Sequence, residues 1–131
     1  MLKDIADFHD KFGLKAPPTP RLLDPETMIF RLRFMREELD ETEEAAAAGD
    51  MPAFADGLID LLYVVLGTLH LSGLPTQALW DEVHRANMRK ERATREDQSA
   101  RRSTLDVIKP PRWTPPDIVG VLRAHGWEQP E

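Results

Sequence analysis

Residues 54–71, FADGLIDLLYVVLGTLHL, read as one helix that is apolar on nearly every side, with Asp56 and Asp60 set four residues apart on a single face. A helix apolar all round belongs in a core. A carboxylate buried there without a partner costs several kcal/mol. Any fold open to this chain must therefore cover the helix and supply a counterpart for the two aspartates.

The flanking residues supply its neighbours. Leu2, Ile5, Phe8 and Phe12 recur at helical spacing and predict a first helix over 1–12 that ends at Gly13 and packs through these four. LKAPPTPRLL reads as a proline-stiffened connection. A second helix begins with Asp24 as N-cap and Pro25 in the first position, and Glu26 suits the positive end of its dipole. Met28, Leu32, Met35 and Leu39 are its expected buried stripe as it runs towards Ala48. Gly49 ends it, Asp50 caps the next and Pro52 lies in the new first turn, so the second helix and the third (about 51–71) become antiparallel neighbours. After Gly73 and Pro75 a fourth helix is expected from about 76 to the mid-90s, packing through Leu79, Trp80, Val83 and Met88. The tail KPPRWTPPDIVGVLRAHGW reads as an extended proline-rich wrap within 103–131, with one short helix near 116–124. No stretch alternates with period two, so the fold class is all-α, a helical bundle forming a single domain over 1–131.

At 131 residues the core is modest and association with further copies is expected. The chain has no cysteine, which removes disulfides, thiolate metal sites and cysteine nucleophiles and fits a cytoplasmic setting. The N-terminus MLKDIADFHD lacks a signal-peptide core, and the apolar run 58–66 is too short to span a bilayer, so a soluble protein with no membrane partner is expected. Residues 1–84 carry 7 basic and 16 acidic groups, whereas 85–102 carry 7 basic and 3 acidic. An acidic body with a basic stretch suits metal plus phosphate, and equally a helix with one solvated face.

The second helix carries REELDETEE. Glu38 and Glu41, three apart, share a face, and Glu37 nearly joins them. With the third helix returning antiparallel, Asp56 and Asp60 come alongside Glu38 and Glu41. Carboxylates so placed repel unless they are protonated, paired with bases or bridged by cations. Two readings follow: hard divalent ions held by oxygen ligands, or a solvated acidic face whose aspartates are neutralised by Arg31, Arg33 or Arg85.

EELDE, then DGLIDLLYVVLGT, then EVHRANMRK, in this order, resemble the all-α nucleoside triphosphate pyrophosphohydrolases, a superfamily that includes MazG, the dimeric dUTPases and the phosphoribosyl-ATP pyrophosphohydrolases. DFHDKFG and KPPRWTPPDI are similar to its MazG-like, phosphoribosyl-ATP-pyrophosphohydrolase-like branch. Of the superfamily pattern E-x-x-D following E-E-x-x-E, Glu37, Glu38, Glu41 and Asp60 are in place, but Gly57 stands where the second motif has glutamate, and Asp56 is the nearest substitute. The resemblance implies Mg²⁺ (or Mn²⁺) on Glu38, Glu41, Asp56 and Asp60, and a water activated by Glu37 or Glu38. It also implies phosphate or sugar contacts from Asn87 and Lys90, which a continuous fourth helix would place on one face. The implied reaction splits a nucleoside triphosphate, or a phosphoribosyl-ATP-like nucleotide, into monophosphate and pyrophosphate. Similar proteins complete their bundle as homodimers or homotetramers. His84 and Trp80 read as surface and packing residues, and Lys109 and Trp113 either close over the nucleotide or pack the tail. The rival readings are a catalytically weak nucleotide-binding relative and a helical protein binding nucleic acid through 85–102. The negative net charge and the lack of interleaved aromatics oppose the second.

Overall fold

The computed structural model describes residues 1–130. Among them it forms two compact units, Met1–Thr76 with the residues from His125 on, and Gln77–Ala124. The fold is all-α apart from one minimal pair of strands.

The first unit contains α1 (Leu2–Lys11), α2 (Pro25–Ala48) and α3 (Met51–Leu71). Asp24 caps α2 by accepting the Thr27 N–H at 2.9 Å, and Asp50 caps α3 by accepting the Ala53 N–H at 3.0 Å. Between them Gly49 adopts the left-handed conformation, φ 69°, that closes α2, and the two helices fold back on each other. The proline-stiffened connection crosses the far end of α3. There the Arg21 N–H donates to the Ser72 carbonyl at 3.0 Å, and a Cβ on Gly73 (φ 63°) would meet Pro17 and Thr19.

The seam between α2 and α3 is not the expected one. Arg31, Thr42 and Ala45 are buried on α2, whereas Leu32 and Leu39 of the expected stripe are 42% and 52% exposed. Opposite them α3 buries Gly57, Val64 and Gly67. Small residues let the backbones approach closely, and Arg31 fills the one gap by donating to Val64 O and Thr68 Oγ1. The leucines are left on the outer face with Ile29, Phe30, Leu58 and Ile59, exposed among the described residues. A similar shift occurs on α1, which buries Ile5 and His9 rather than Phe8 and Phe12. By length and composition α3, 21 residues with a mean hydropathy of 1.5 over its most apolar stretch, is long enough to cross a membrane, contrary to the inference from the run 58–66. Asp56 and Asp60 are what argue against such a span, since carboxylates are costly in hydrocarbon.

The second unit corrects the sequence reading more sharply. Helix α4 (Thr76–Asn87) stops well short of the mid-90s. Strand β1 (Glu91–Arg92) follows and pairs antiparallel with β2 (Val107–Ile108), before α5 (Ile118–Ala124). The residues after Met88 offer no apolar periodicity, and their polar side chains bond the backbone instead of leaving it to a helix. Gln98 Oε1 accepts from the N–H groups of Thr94 and Arg95, and Ser99 Oγ accepts from Arg101 N–H. Ser99 and Arg101 donate to Asp106, holding its carboxyl down to about 2, the Ser99 hydroxyl first among the causes. Trp80 and Met88, expected to pack, are 68% and 71% exposed. α5 begins at Asp117, whose carboxylate caps Gly120 N–H, and the Asp117 N–H donates to Glu82 at 2.7 Å.

Candidate active site

Because α2 and α3 diverge from one tight turn, each residue of α2 meets a residue about equally far beyond it: Thr42 meets Gly57, and Arg31 meets Thr68. This register places Glu38 across from Asp60, and both line one cavity of about 210 Å³ with Phe8, His9, Arg31, Phe34, Tyr63 and Val64. The Glu38 carboxyl is raised above the ordinary carboxylate range. Burial is the first cause, followed by the negative charges of Asp60, Glu41, Glu37 and Asp56. Four carboxylates thus lie close enough to act on Glu38. Among the described residues none of the five forms an ion pair.

Two of the three arginines that might have neutralised them are engaged elsewhere, and Arg33 forms no ion pair with them among the described residues. Arg31 donates to Val64 O at 2.8 Å and Thr68 Oγ1 at 3.0 Å, and Arg85 pairs with Glu82 at 2.6 Å. The donor set is therefore all-oxygen and uncompensated, which fits a hard divalent cation. No three acidic or histidine side chains among the described residues converge into a ready-made ligand set. Glu37, Glu41, Asp56 and Asp60 are exposed side chains at this edge of the hairpin.

Sequence reasoning missed the inner wall of this cavity. For Arg31 the signal was its place seven residues before Glu38, on the helix face that buries Thr42 and Ala45, hidden because an arginine looks like a surface residue. His9 is 1% exposed, donates Nδ1–H to Ile5 O at 2.7 Å, and leaves Nε2 without a partner. A Cβ at Gly67 would lie 2.6 Å from Arg31 Nη2 and 2.9 Å from His9 Cε1, so only glycine leaves room for both. Phe8 meets Tyr63 edge to face at 5.3 Å, giving the cavity an aromatic side.

Behind His9 stands His70, ring centroids 5.2 Å apart, its pKa lowered by burial first and by His9 second. A histidine held neutral in the fold leaves the extra proton to the unfolded chain. Its contribution is therefore fully present above the unfolded value of about 6.5 and is lost as pH falls through and below it. Urea midpoints should fall between about pH 7.5 and 5.5, and His70→Gln should flatten that profile. A wild-type profile already flat over this range would show that the fold does not hold His70 neutral.

In the second unit Asn87 is the last residue of α4, and Lys90 lies beyond the helix. The two therefore do not share the helix face expected of them. Lys90 instead lies over the ring of Trp113, whose Nε1–H donates to Ala86 O at 2.8 Å. His84 is exposed, as read from the sequence.

The site is thus a helical hairpin with facing carboxylates beside a part-aromatic cavity. The model of the phosphoribosyl-ATP pyrophosphohydrolase family matches residues 5–87, from α1 to the end of α4, and the chain belongs to that MazG-like all-α family. No curated protein matches the chain. The family implies pyrophosphohydrolase activity on a nucleotide-like substrate and is generally dependent on a divalent metal.

Proposed function

We propose that the chain hydrolyses a nucleoside triphosphate, or a phosphoribosyl-ATP-like nucleotide, to the monophosphate and pyrophosphate, with Mg²⁺ as cofactor and Mn²⁺ as a substitute. The observation that carries this reading is the set of facing, unpaired carboxylates on α2 and α3 at the edge of a cavity with aromatic walls. Glu38, Glu41, Asp56 and Asp60 would hold the metal. A bound divalent cation supplies neutralisation of the phosphate oxygens and acidifies water.

The remaining chemistry belongs to the chain. Glu38, with a raised proton affinity, takes the proton from the attacking water, and Glu37 is the adjacent alternative base. The water oxygen bonds to phosphorus as the bond to the pyrophosphate leaving group breaks. The cavity between Phe8, Phe34 and Tyr63 has room for one ring of the nucleotide rather than the whole, since pockets that enclose drug-sized ligands run to roughly 300–1,000 Å³. Asn87 and Lys90 are the proposed contacts to sugar and phosphate. The uncovered apolar faces of α2 and α3 support a homodimer or homotetramer.

The deciding experiment is pyrophosphate release across canonical and modified nucleoside triphosphates and phosphoribosyl-ATP, with and without Mg²⁺. Metal-dependent release from at least one substrate is expected. Silence from all of them in a folded protein overturns the reading, and tight nucleotide binding without turnover identifies a catalytically weak relative.

A further inference from the structure

Strands β1 and β2 pair with Glu91 opposite Ile108 and Arg92 opposite Val107. Lys90 and Lys109 are the residues next beyond the open end of this ladder, one on each strand. Like charges gathered there repel, and no carboxylate among the described residues forms an ion pair with either. Both ammoniums lie instead over the ring of Trp113, Lys90 at 5.5 Å and Lys109 at 4.8 Å from its centroid. There the negative face of the indole offsets part of the repulsion.

The ring is firmly placed. Its Nε1–H is bonded to Ala86 O in the last turn of α4, and the Trp113 N–H closes a turn on Pro110 O at 3.0 Å. Arg112 inside that turn takes φ 69°, a conformation non-glycine residues rarely adopt, while Pro110, Pro111, Pro115 and Pro116 stiffen the chain on both sides. The result is two unneutralised cations seated on a rigid platform. Two cations gathered at one indole suit a ligand with two linked anionic groups, and lysine ammoniums are point charges suited to phosphate oxygens.

We propose that Lys90 and Lys109, seated on Trp113, form a binding site for a pyrophosphoryl group, carried either by the nucleotide or by inorganic pyrophosphate. Lys109 touches the anion, and Trp113 is a positioning residue that acts through both lysines. The link to substrate rests on the pyrophosphohydrolase reading, whereas the binding itself does not.

The test is calorimetric titration of the full chain with inorganic pyrophosphate and, separately, with an α,β-methylene nucleoside triphosphate. Lys109→Gln should weaken binding about tenfold or more, with Lys109→Arg retaining most of it. Trp113→Leu should weaken it as well and Trp113→Phe much less. Pyrophosphate should also change the tryptophan emission, a response absent from Trp113→Phe. Dependence on Lys109 for both ligands means that product is held as well as substrate, and dependence for the triphosphate alone assigns the site to substrate. Either result sustains the inference. Lys109→Gln binding both ligands within about twofold of wild type, or no binding of either ligand by the wild type, overturns it. Lys109-dependent pyrophosphate binding without turnover of any nucleotide would sink the hydrolase reading and leave this one standing. Turnover with KM and pyrophosphate inhibition unchanged in Lys109→Gln would do the reverse.

Discussion

Glu38→Gln is expected to lower pyrophosphate release by about 100-fold or more and, in the same protein, to raise the melting temperature. The two effects share one cause. Glu38 is half-buried at the helix seam, its charge opposed first by burial and then by four neighbouring carboxylates. Glutamine keeps the shape, removes the charge and relieves that repulsion, while losing both the proton acceptor and an oxygen ligand. Stability gained as activity is lost is the signature of a site held in place against its own electrostatics. Asp60→Asn, on the same cavity, should behave alike in turnover. Steady-state pyrophosphate release and thermal unfolding of each variant provide the check. Release by Glu38→Gln within about threefold of wild type would remove Glu38 from the reaction.

The largest expected loss of stability comes from Gly57→Glu, the substitution that would restore the superfamily pattern. A Cβ at residue 57 would lie 2.5 Å from Thr42 Oγ1 and 3.3 Å from Thr42 Cα, so the obstruction is partly backbone. The hydroxyl cannot turn away freely, because it donates to Glu38 O at 2.6 Å. Glutamate would add a carboxylate at a buried position and force the helices apart, with an expected cost of at least about 3 kcal/mol. Gly57→Ala meets the same contact but gains up to about 1 kcal/mol in helix propensity, so its loss is smaller. Asp56→Glu, on an exposed position, should stay within about 0.5 kcal/mol. Urea denaturation of the three variants gives the comparison. A Gly57→Glu protein as stable as wild type would show that the seam opens at little cost. If the order holds, glycine at 57 is required by the closeness of the hairpin, and Asp56 is the acidic position open to this chain.

The helices of the first unit were legible because their signals are local. Asp24 with Pro25, Gly49 with Asp50, and the breaks at Gly13 and Gly73 each act through one or two backbone bonds. The faces those helices bury were not legible in the same way. Leu32 and Leu39 are more apolar than Arg31 and Thr42, yet the seam selects for small size and for a guanidinium that bonds Val64 and Thr68, a tertiary choice that hydrophobicity does not encode. The four facing carboxylates could be placed from spacing and an antiparallel turn alone. His9 could not, because its burial depends on Gly67, far along the chain. The end of α4 escapes a sequence reading by the opposite route. Arg85, Arg89 and Arg92 continue a helical charge pattern past Asn87 although no apolar face continues beneath it.

The ladder whose open end Lys90 and Lys109 flank is only two residue pairs long. So short a zipper has little cooperativity of its own, and hydrogen exchange at Ala93 and Ile108 should report its opening as one of the easiest motions of the second unit. An anion that bridges the lysines would then do more than occupy a site. By replacing repulsion with attraction at the fraying end it would draw the hairpin shut, so that occupancy is read out as a slower clock on its amides.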